Sequence, residues 1–239
     1  MNIFASLEHA TQIPWVFWSS FFTIALLLGT GALVRSRLAA ANGGVIPDDG
    51  FSVRNLLEML MEMLSGLARE NMGPKWKTYF PMIGAIFLFI LVSNLVGLIP
   101  SIDGATSSSS TTWAWAIISF VVHQYVGIRE HGWSYINHFL GPSLYDLKVG
   151  DNTYHLRLLA PLYAPIELLS HLSRVFTLAV RLLANMFADH TVVAVWVGLV
   201  PVVVPAIFMG LGVLVSFLQA YVFAMLSMIY IGLALEEAH

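Results

Sequence analysis

The sequence predicts an all-α polytopic membrane protein with about five membrane-inserted helices, the last two a long tilted hairpin, plus one amphipathic surface helix. Two observations carry that prediction. Of the 239 residues, 58% are hydrophobic and only 10% charged, at a mean hydropathy of +0.78, whereas charged residues make up about a quarter of a soluble globular domain. Long apolar runs also recur along the chain, and about 20 apolar residues in helical form cross a hydrocarbon core of roughly 30 Å. A formal charge of -3 offers no basic surface for nucleic acid. The lack of cysteine excludes disulfides, thiol catalysis and cysteine-ligated metal. No cofactor or metal is expected.

The elements follow in order within a single membrane domain, residues 1–239. The opening MNIFASLEHATQI lacks the basic n-region and cleavage pattern of a signal peptide and reads as a mature N-terminus. Pro14 to Val34 is the first span, stopped by Arg35 and Arg37, and Ala39 to Gly50 is a turn-rich linker. Across residues 52–71, Leu56, Leu57, Leu60, Leu64 and Leu67 recur at helical spacing, interrupted by Arg54, Glu58, Glu62, Arg69 and Glu70. This is the amphipathic helix. Lying between two spans, it is expected on the membrane surface; the alternative is a helix packed as in a soluble protein. Tyr79 to Ile99 is the second span, carrying Asn94 and ending at Pro100. A Ser- and Thr-rich loop, Ser101 to Thr112, leads to a short third span, residues 113–128, with His123 and Gln124 inside it. Gly127 to Leu159 is polar and irregular. Two long apolar segments, residues 166–200 and 202–235, are separated by a break from Pro201 to Pro205.

Orientation follows from the basic residues, because short cytoplasmic loops hold the excess of Lys and Arg. Arg35, Arg37, Arg54, Arg69, Lys75 and Lys77 lie between the first two spans, and Arg129, Lys148 and Arg157 lie between the third and fourth. The N-terminus, the Ser-rich loop and the Pro201 turn have none. The N-terminus is therefore expected outside and the C-terminus in the cytoplasm.

Within the fourth segment one residue stands out. Arg181 lies in the middle of PIELLSHLSRVFTLAVRLLANMFADH. A guanidinium at bilayer depth costs at least ~2.5 to 3.5 kcal/mol on insertion scales, and Arg does not escape by losing its proton. With Arg181 at zero on a wheel of about 100° per residue, Ser170 falls near -20°, Arg174 near +20°, Glu167 and Asn185 near +40°, Thr177 near -40°, and His171 and Asp189 near +80°. His190 lies near 180°. For Glu167, His171 and Arg174, near one helix end, snorkelling and local pairing stand beside a functional role. Arg181 is too deep to snorkel cheaply, and on its face only Asp189 is acidic beyond it. A counter-charge on another chain is indicated. In the last segment, Gln219 is deep enough to need a hydrogen-bond partner. A hairpin would bring it to a depth comparable with that of Arg181.

RLLANMFADH at Arg181 to His190, LQAYVFAMLSMIYIGLALEE at Leu218 to Glu237, and SNLVGLIP at Ser93 to Pro100 together resemble subunit a of F-type ATP synthases, over nearly the whole chain. The resemblance implies that Arg181 faces the carboxylates of the rotating c-ring and separates two aqueous half-channels. Glu167 and Ser170 would line the cytoplasmic half-channel. Asn94, Asn185, Asp189, His190 and Gln219 would belong to the outer one or to the region around Arg181, with His190 as relay because its ordinary pKa of about 6.5 permits proton exchange near neutrality. The implied partners are the c-ring, the b-type peripheral stalk subunits and membrane lipid, with no nucleotide bound by this chain. The implied location is a bacterial inner membrane. The chain departs from the family at Gly212, where many relatives place a His or Glu facing the position of His190, and at Gly97, where some have an acid. Asp189 is the expected compensation.

Two other readings were open to the sequence. A secondary transporter with an intramembrane charge pair usually shows repeated halves, and none is visible. A purely structural subunit leaves Arg181 unexplained. A nucleotide site is not indicated, since GPKWKT at Gly73 to Thr78 lacks the spacing of a phosphate-binding loop. H⁺ is favoured over Na⁺ because the sequence offers no dedicated oxygen cage.

Overall fold

The computed structural model describes residues 3–40, 52–99, 102–132, 145–149, 152–156, 160–199 and 203–235. Among these the chain forms α1 (Ile3–Thr11), α2 (Trp15–Ala40), α3 (Val53–Met72), α4 (Trp76–Gly97), α5 (Ser109–His131), β1 (Tyr145–Val149), β2 (Asn152–Leu156), α6 (Ala160–Leu199) and α7 (Val203–Leu235). The membrane-length elements are all helical, as an all-α polytopic membrane protein requires: with no water in the bilayer core, backbone groups must be satisfied within the segment. Four stretches are long and apolar enough to cross: Trp15–Ser36, Val53–Gly97, Pro165–Leu199 and Val203–Leu235. α5, expected as a span, is not among them, because its Ser/Thr start and its Arg129, Glu130, His131 end dilute its hydropathy. It packs against α6 and α7.

Several boundaries differ from the expectation for one reason: hydropathy marks the edge of the membrane, whereas hydrogen bonds mark the end of a helix. α2 continues past Arg35 and Arg37 to Ala40, because cations are welcome at a helix C-terminus. α5 begins at Ser109, where Ser108 accepts the Thr112 N–H, and ends against Gly132 at φ 55°, a left-handed cap that glycine adopts without strain. α6 starts at Ala160, so Pro165 falls inside its second turn, where it forfeits one i→i−4 hydrogen bond. α1 was not anticipated; it ends where Gln12 takes φ 59° ahead of Pro14. The polar region after α5, expected to be irregular, contains an antiparallel ribbon pairing Tyr145 with Leu156 and Val149 with Asn152. The apolar alternation of YDLKV and NTYHL is its sequence signal. Most of the predicted linker, Pro201 and the residues after Leu235 lie outside the described residues.

α3 is amphipathic as predicted, capped by Ser52, whose hydroxyl accepts the Arg54 N–H. Its buried face, Leu60, Leu64, Ala68 and Met72, packs on α4 and α7. The contact is close: a Cβ on Gly232 of α7 would lie 2.2 Å from the Asn71 carbonyl oxygen. The core joins these residues to Ile83, Ile86, Phe87 and Ile90 of α4 and to Ala220, Phe223, Ala224, Met228 and Ile231 of α7. Large apolar side chains such as Phe17, Phe21 and Leu28 face outward, while hydroxyls turn inward. Ser119 and Ser227 hydrogen bond across α5 and α7 at 2.8 Å. Small polar residues let helices approach and bond in lipid.

α6 and α7 form the hairpin. Trp196 stacks on Phe208, centroids 5.9 Å apart, and the Arg174 guanidinium lies 4.8 Å from the Tyr230 ring centroid. The midpoint between these two contacts falls at Asn185 on α6 and at Gln219 on α7, so those two residues share a level. Arg181 is one turn away, toward Arg174. At 40 residues, about 60 Å at 1.5 Å per residue, α6 far exceeds a ~30 Å hydrocarbon core, and tilt or emergence takes up the excess.

Candidate functional site

α6 presents two unlike flanks. Val175, Leu178, Ala179, Leu182 and Met186 are buried against the bundle. On the wheel they centre more than about 100° from Arg181. Arg181 is accordingly exposed, on a flank whose small residues Ser173, Thr177, Ala184 and Ala188 are exposed too. Thr177 turns its hydroxyl back onto the Ser173 carbonyl at 2.9 Å. Among the described residues Arg181 has neither an ion pair nor a hydrogen bond. The guanidinium therefore projects from a low surface, bordered by Phe176, Val180 and Phe187.

From Arg181 toward the start of α6 the polar stripe turns into the bundle. Ser170 and Glu167 are partly buried, and His171 is buried at 3% exposure. Glu167 Oε1 lies 3.3 Å from His171 Nε2, the local pairing that stood as an alternative for this end. The His171 ring lies tilted against His123 of α5, centroids 5.6 Å apart, and the His123 Nδ1 is 2.7 Å from the Tyr230 carbonyl oxygen. His123, His171 and Tyr230, with Ser119 and Arg174, line a small cavity of about 10 Å³. His123 and Tyr230 were visible as polar residues in apolar helices; their convergence with Glu167 and His171 was not. A buried imidazole pair beside a carboxylate can hold and pass a proton.

At the other end of the bundle, the loop before α5 folds back onto α4. Thr106 donates its hydroxyl to Asn94 Oδ1 at 2.6 Å and its backbone N–H to Ser93 Oγ at 3.1 Å. Asn94 is 1% exposed and anchors this loop through Thr106. His190, on the opposite side of α6 from Arg181, places Nε2 3.0 Å from the Gly97 carbonyl oxygen. Its Nδ1 is 3.8 Å from Asp103 Oδ1. Asp103 went unremarked in the sequence, although it is the one acid in SIDGATSSSSTT. Asp189 and Asn185 are partly buried on the same helix, and Gln219 is partly buried on α7.

The packing bears differently on the two departures from the family pattern. A Cβ at Gly97 would lie 2.7 Å from Met186 Cε and 3.1 Å from the Gly104 nitrogen, and one at Gly212 would lie 2.5 Å from Leu98 Cδ2. At Gly97 the obstacle includes the Gly104 backbone, whereas at Gly212 it is only the end of the Leu98 side chain, which can give way.

Comparison with known proteins agrees with this architecture. The family model described as ATP synthase A chain matches residues 16–232. ATP synthase subunit a 2 of Syntrophotalea carbinolica is 40% identical over 92% of this chain and 85% of its own length. ATP synthase subunit a of Bdellovibrio bacteriovorus is 38% identical over 89% of this chain and 87% of its own. The Geotalea uraniireducens subunit a is 41% identical over 92% and 87%.

Proposed function

The chain belongs to the ATP synthase A chain family, and on that premise we propose that it is the ion-conducting stator subunit of a rotary ATP synthase, with Arg181 as the charge that separates its two half-channels. The exposed guanidinium on a flank of small residues, unpartnered among the described residues, is the observation that carries this reading. A charge costing at least ~2.5 to 3.5 kcal/mol at bilayer depth needs a counter-charge. The open flank gives a carboxylate on a c-ring helix room to approach. Small neighbours let that helix come close, and the bordering Phe176, Val180 and Phe187 suit an apolar surface sliding past.

Arg181 attracts the ionised ring carboxylate and keeps it from taking a proton at that point. Because Arg stays charged at every physiological pH, the barrier does not lapse. Ions then cross only by entering one half-channel, riding the ring and leaving by the other. Each charge delivers about 2.3 kcal/mol per 100 mV. The catalytic chemistry of ATP belongs to other subunits. Glu167, Ser170 and the His123–His171 cavity serve the cytoplasmic half-channel. Asn185 and Gln219, at one level a turn from Arg181, flank the handover, and Asp189 and His190 serve the outer route. The chain lies in a bacterial inner membrane with its N-terminus outside, five inserted helices including α5, α3 along the cytoplasmic surface, and b-type stalk subunits as further partners. The basic residues between α2 and α4 support that orientation, and the bacterial relatives support the location.

The test is Arg181→Ala in the whole complex. Ion-coupled ATP synthesis should be lost while the detached catalytic sector still hydrolyses ATP; retained coupling would overturn the reading. Undiminished synthesis in sodium-free buffer is expected of a proton-translocating subunit.

A further inference from the structure

We infer that Asp103 is the acid partner of His190, the two forming a proton-passing pair at the mouth of the outer half-channel; this rests on the stator reading above. The argument begins with the tautomer. His190 Nε2 lies 3.0 Å from the Gly97 carbonyl oxygen, and a carbonyl only accepts, so Nε2 carries the hydrogen. In the neutral ring Nδ1 is then the bare acceptor. It points to Asp103 Oδ1 at 3.8 Å, too long for a direct bond and suited to one bridging water. The side chains of His190 and Asp103 are 31% and 40% exposed, open enough to exchange with solvent.

The backbone around Asp103 is fixed by its neighbours, and its side chain is 40% exposed. The Ser19 hydroxyl donates to the Asp103 carbonyl oxygen at 2.8 Å. The next residue, Gly104, sits so close to α4 that a Cβ there would be 2.3 Å from the Ser93 carbonyl oxygen. Thr106 ties the loop to Asn94 and Ser93. Gly97, on α4 facing His190, is packed against Met186 and the Gly104 backbone, and the loop places its own acid within reach of the ring instead.

The groups facing His190 are few. α4 offers the Gly97 carbonyl, α2 the Ser19 hydroxyl that holds Asp103, α6 itself the adjacent Asp189, and α7 at that level only Val213, Leu214 and Val215. A proton reaching the Asp103 carboxylate passes to Nδ1, leaving the carboxylate ionised beside an imidazolium whose two N–H groups are both partnered. Loss of the Nδ1 proton to the next acceptor inward restores the starting state.

The experiment is ATP-driven proton pumping by the whole complex in liposomes, measured from pH 5.5 to 9. Asp103→Asn should slow pumping on the order of a hundredfold and change its dependence on pH. Asp103→Glu should keep most of the rate. Asp103→Asn combined with His190→Gln should be no slower than His190→Gln alone. A wild-type rate and pH profile in Asp103→Asn would overturn the pair. So would loss of the subunit from the purified Asp103→Asn complex with full assembly in Asp103→Glu, since Asp103 would then be an anchor only. Arg181→Ala separates the two levels: a dead Arg181→Ala with a normal Asp103→Asn refutes the pair alone, whereas a pumping Arg181→Ala refutes the stator reading itself.

Discussion

Replacing Thr106 by valine removes one hydroxyl at the point where the loop carrying Asp103 is fastened to α4. Thr106 is fully buried and Asn94 is 1% exposed, so water does not replace the lost 2.6 Å bond to Asn94 Oδ1. Leaving a buried acceptor unsatisfied costs about 1–3 kcal/mol. The backbone bond from Thr106 to Ser93 Oγ survives, so the loss appears as more frequent local opening rather than as misfolding. With RT of about 0.59 kcal/mol, that cost corresponds to roughly 5- to 160-fold faster opening. Hydrogen exchange of the Thr106, Ser107 and Ser108 amides in the assembled complex reads it directly. Thr106→Val combined with Asn94→Leu removes both polar partners and should recover much of the protection, because replacing both is nearly neutral. Unchanged exchange in the single variant would refute the claim that this bond holds the loop. An equally fast double variant would refute the assignment of the cost to the stranded amide.

Two further outcomes are expected. Gly104→Ala and Gly232→Ala drive a Cβ to 2.3 Å and 2.2 Å from backbone oxygens and should each lower the melting temperature of the purified complex, at about 1–3 kcal/mol of overpacking; Gly212→Ala meets only the mobile end of Leu98 and should shift it less. Lys75, at the turn before α4, hydrogen bonds Glu130 at the end of α5, which holds the Glu130 carboxyl below its ordinary value of 4.5 despite some desolvation. A depressed carboxylate pKa stabilises above the ordinary value and ceases to do so as pH falls through the lowered one, so Lys75→Met should speed amide exchange at the end of α5 at neutral pH, with the difference from wild type vanishing well below pH 4.5.

The course of the chain through the membrane was legible because crossing demands a run of apolar residues that composition alone reveals. The helix ends were not, since Arg35 and Arg37 stop a hydropathy profile without stopping a ladder of hydrogen bonds. Arg181 could be singled out because its face of α6 offers too little negative charge, a property of one helix. Asp103 and His190 could not be paired. Their proximity depends on a close approach of Gly97 and Gly104, and no local pattern marks two glycines in different elements as neighbours. Asn94 shows the converse: a polar residue in an apolar span announces that a partner is needed, and the fold decides whether that partner is an ion route or a loop threonine.

That distinction bears on how this subunit is held in its assembly. In lipid a polar group must be satisfied by something, and breaking a buried partnership is costly. Asn94 with Thr106, Ser119 with Ser227, and His123 with the Tyr230 carbonyl are satisfied inside the chain. They stabilise the bundle whatever surrounds it. Arg181 is not satisfied by the described residues, so its cost of at least ~2.5 to 3.5 kcal/mol is offset only when an outside carboxylate arrives. On the proposed reading, that makes the rotor a stabilising ligand of the subunit, since whatever binds the folded state preferentially raises its stability. The attraction must also be incomplete: a carboxylate bound too well at Arg181 would stall the ring. An exposed guanidinium that no described residue hydrogen bonds meets that requirement, because a cation free to reorient can release one carboxylate as the next approaches. A version of Arg181 clamped by an acid on α6 would bind its own partner and leave the ring with none.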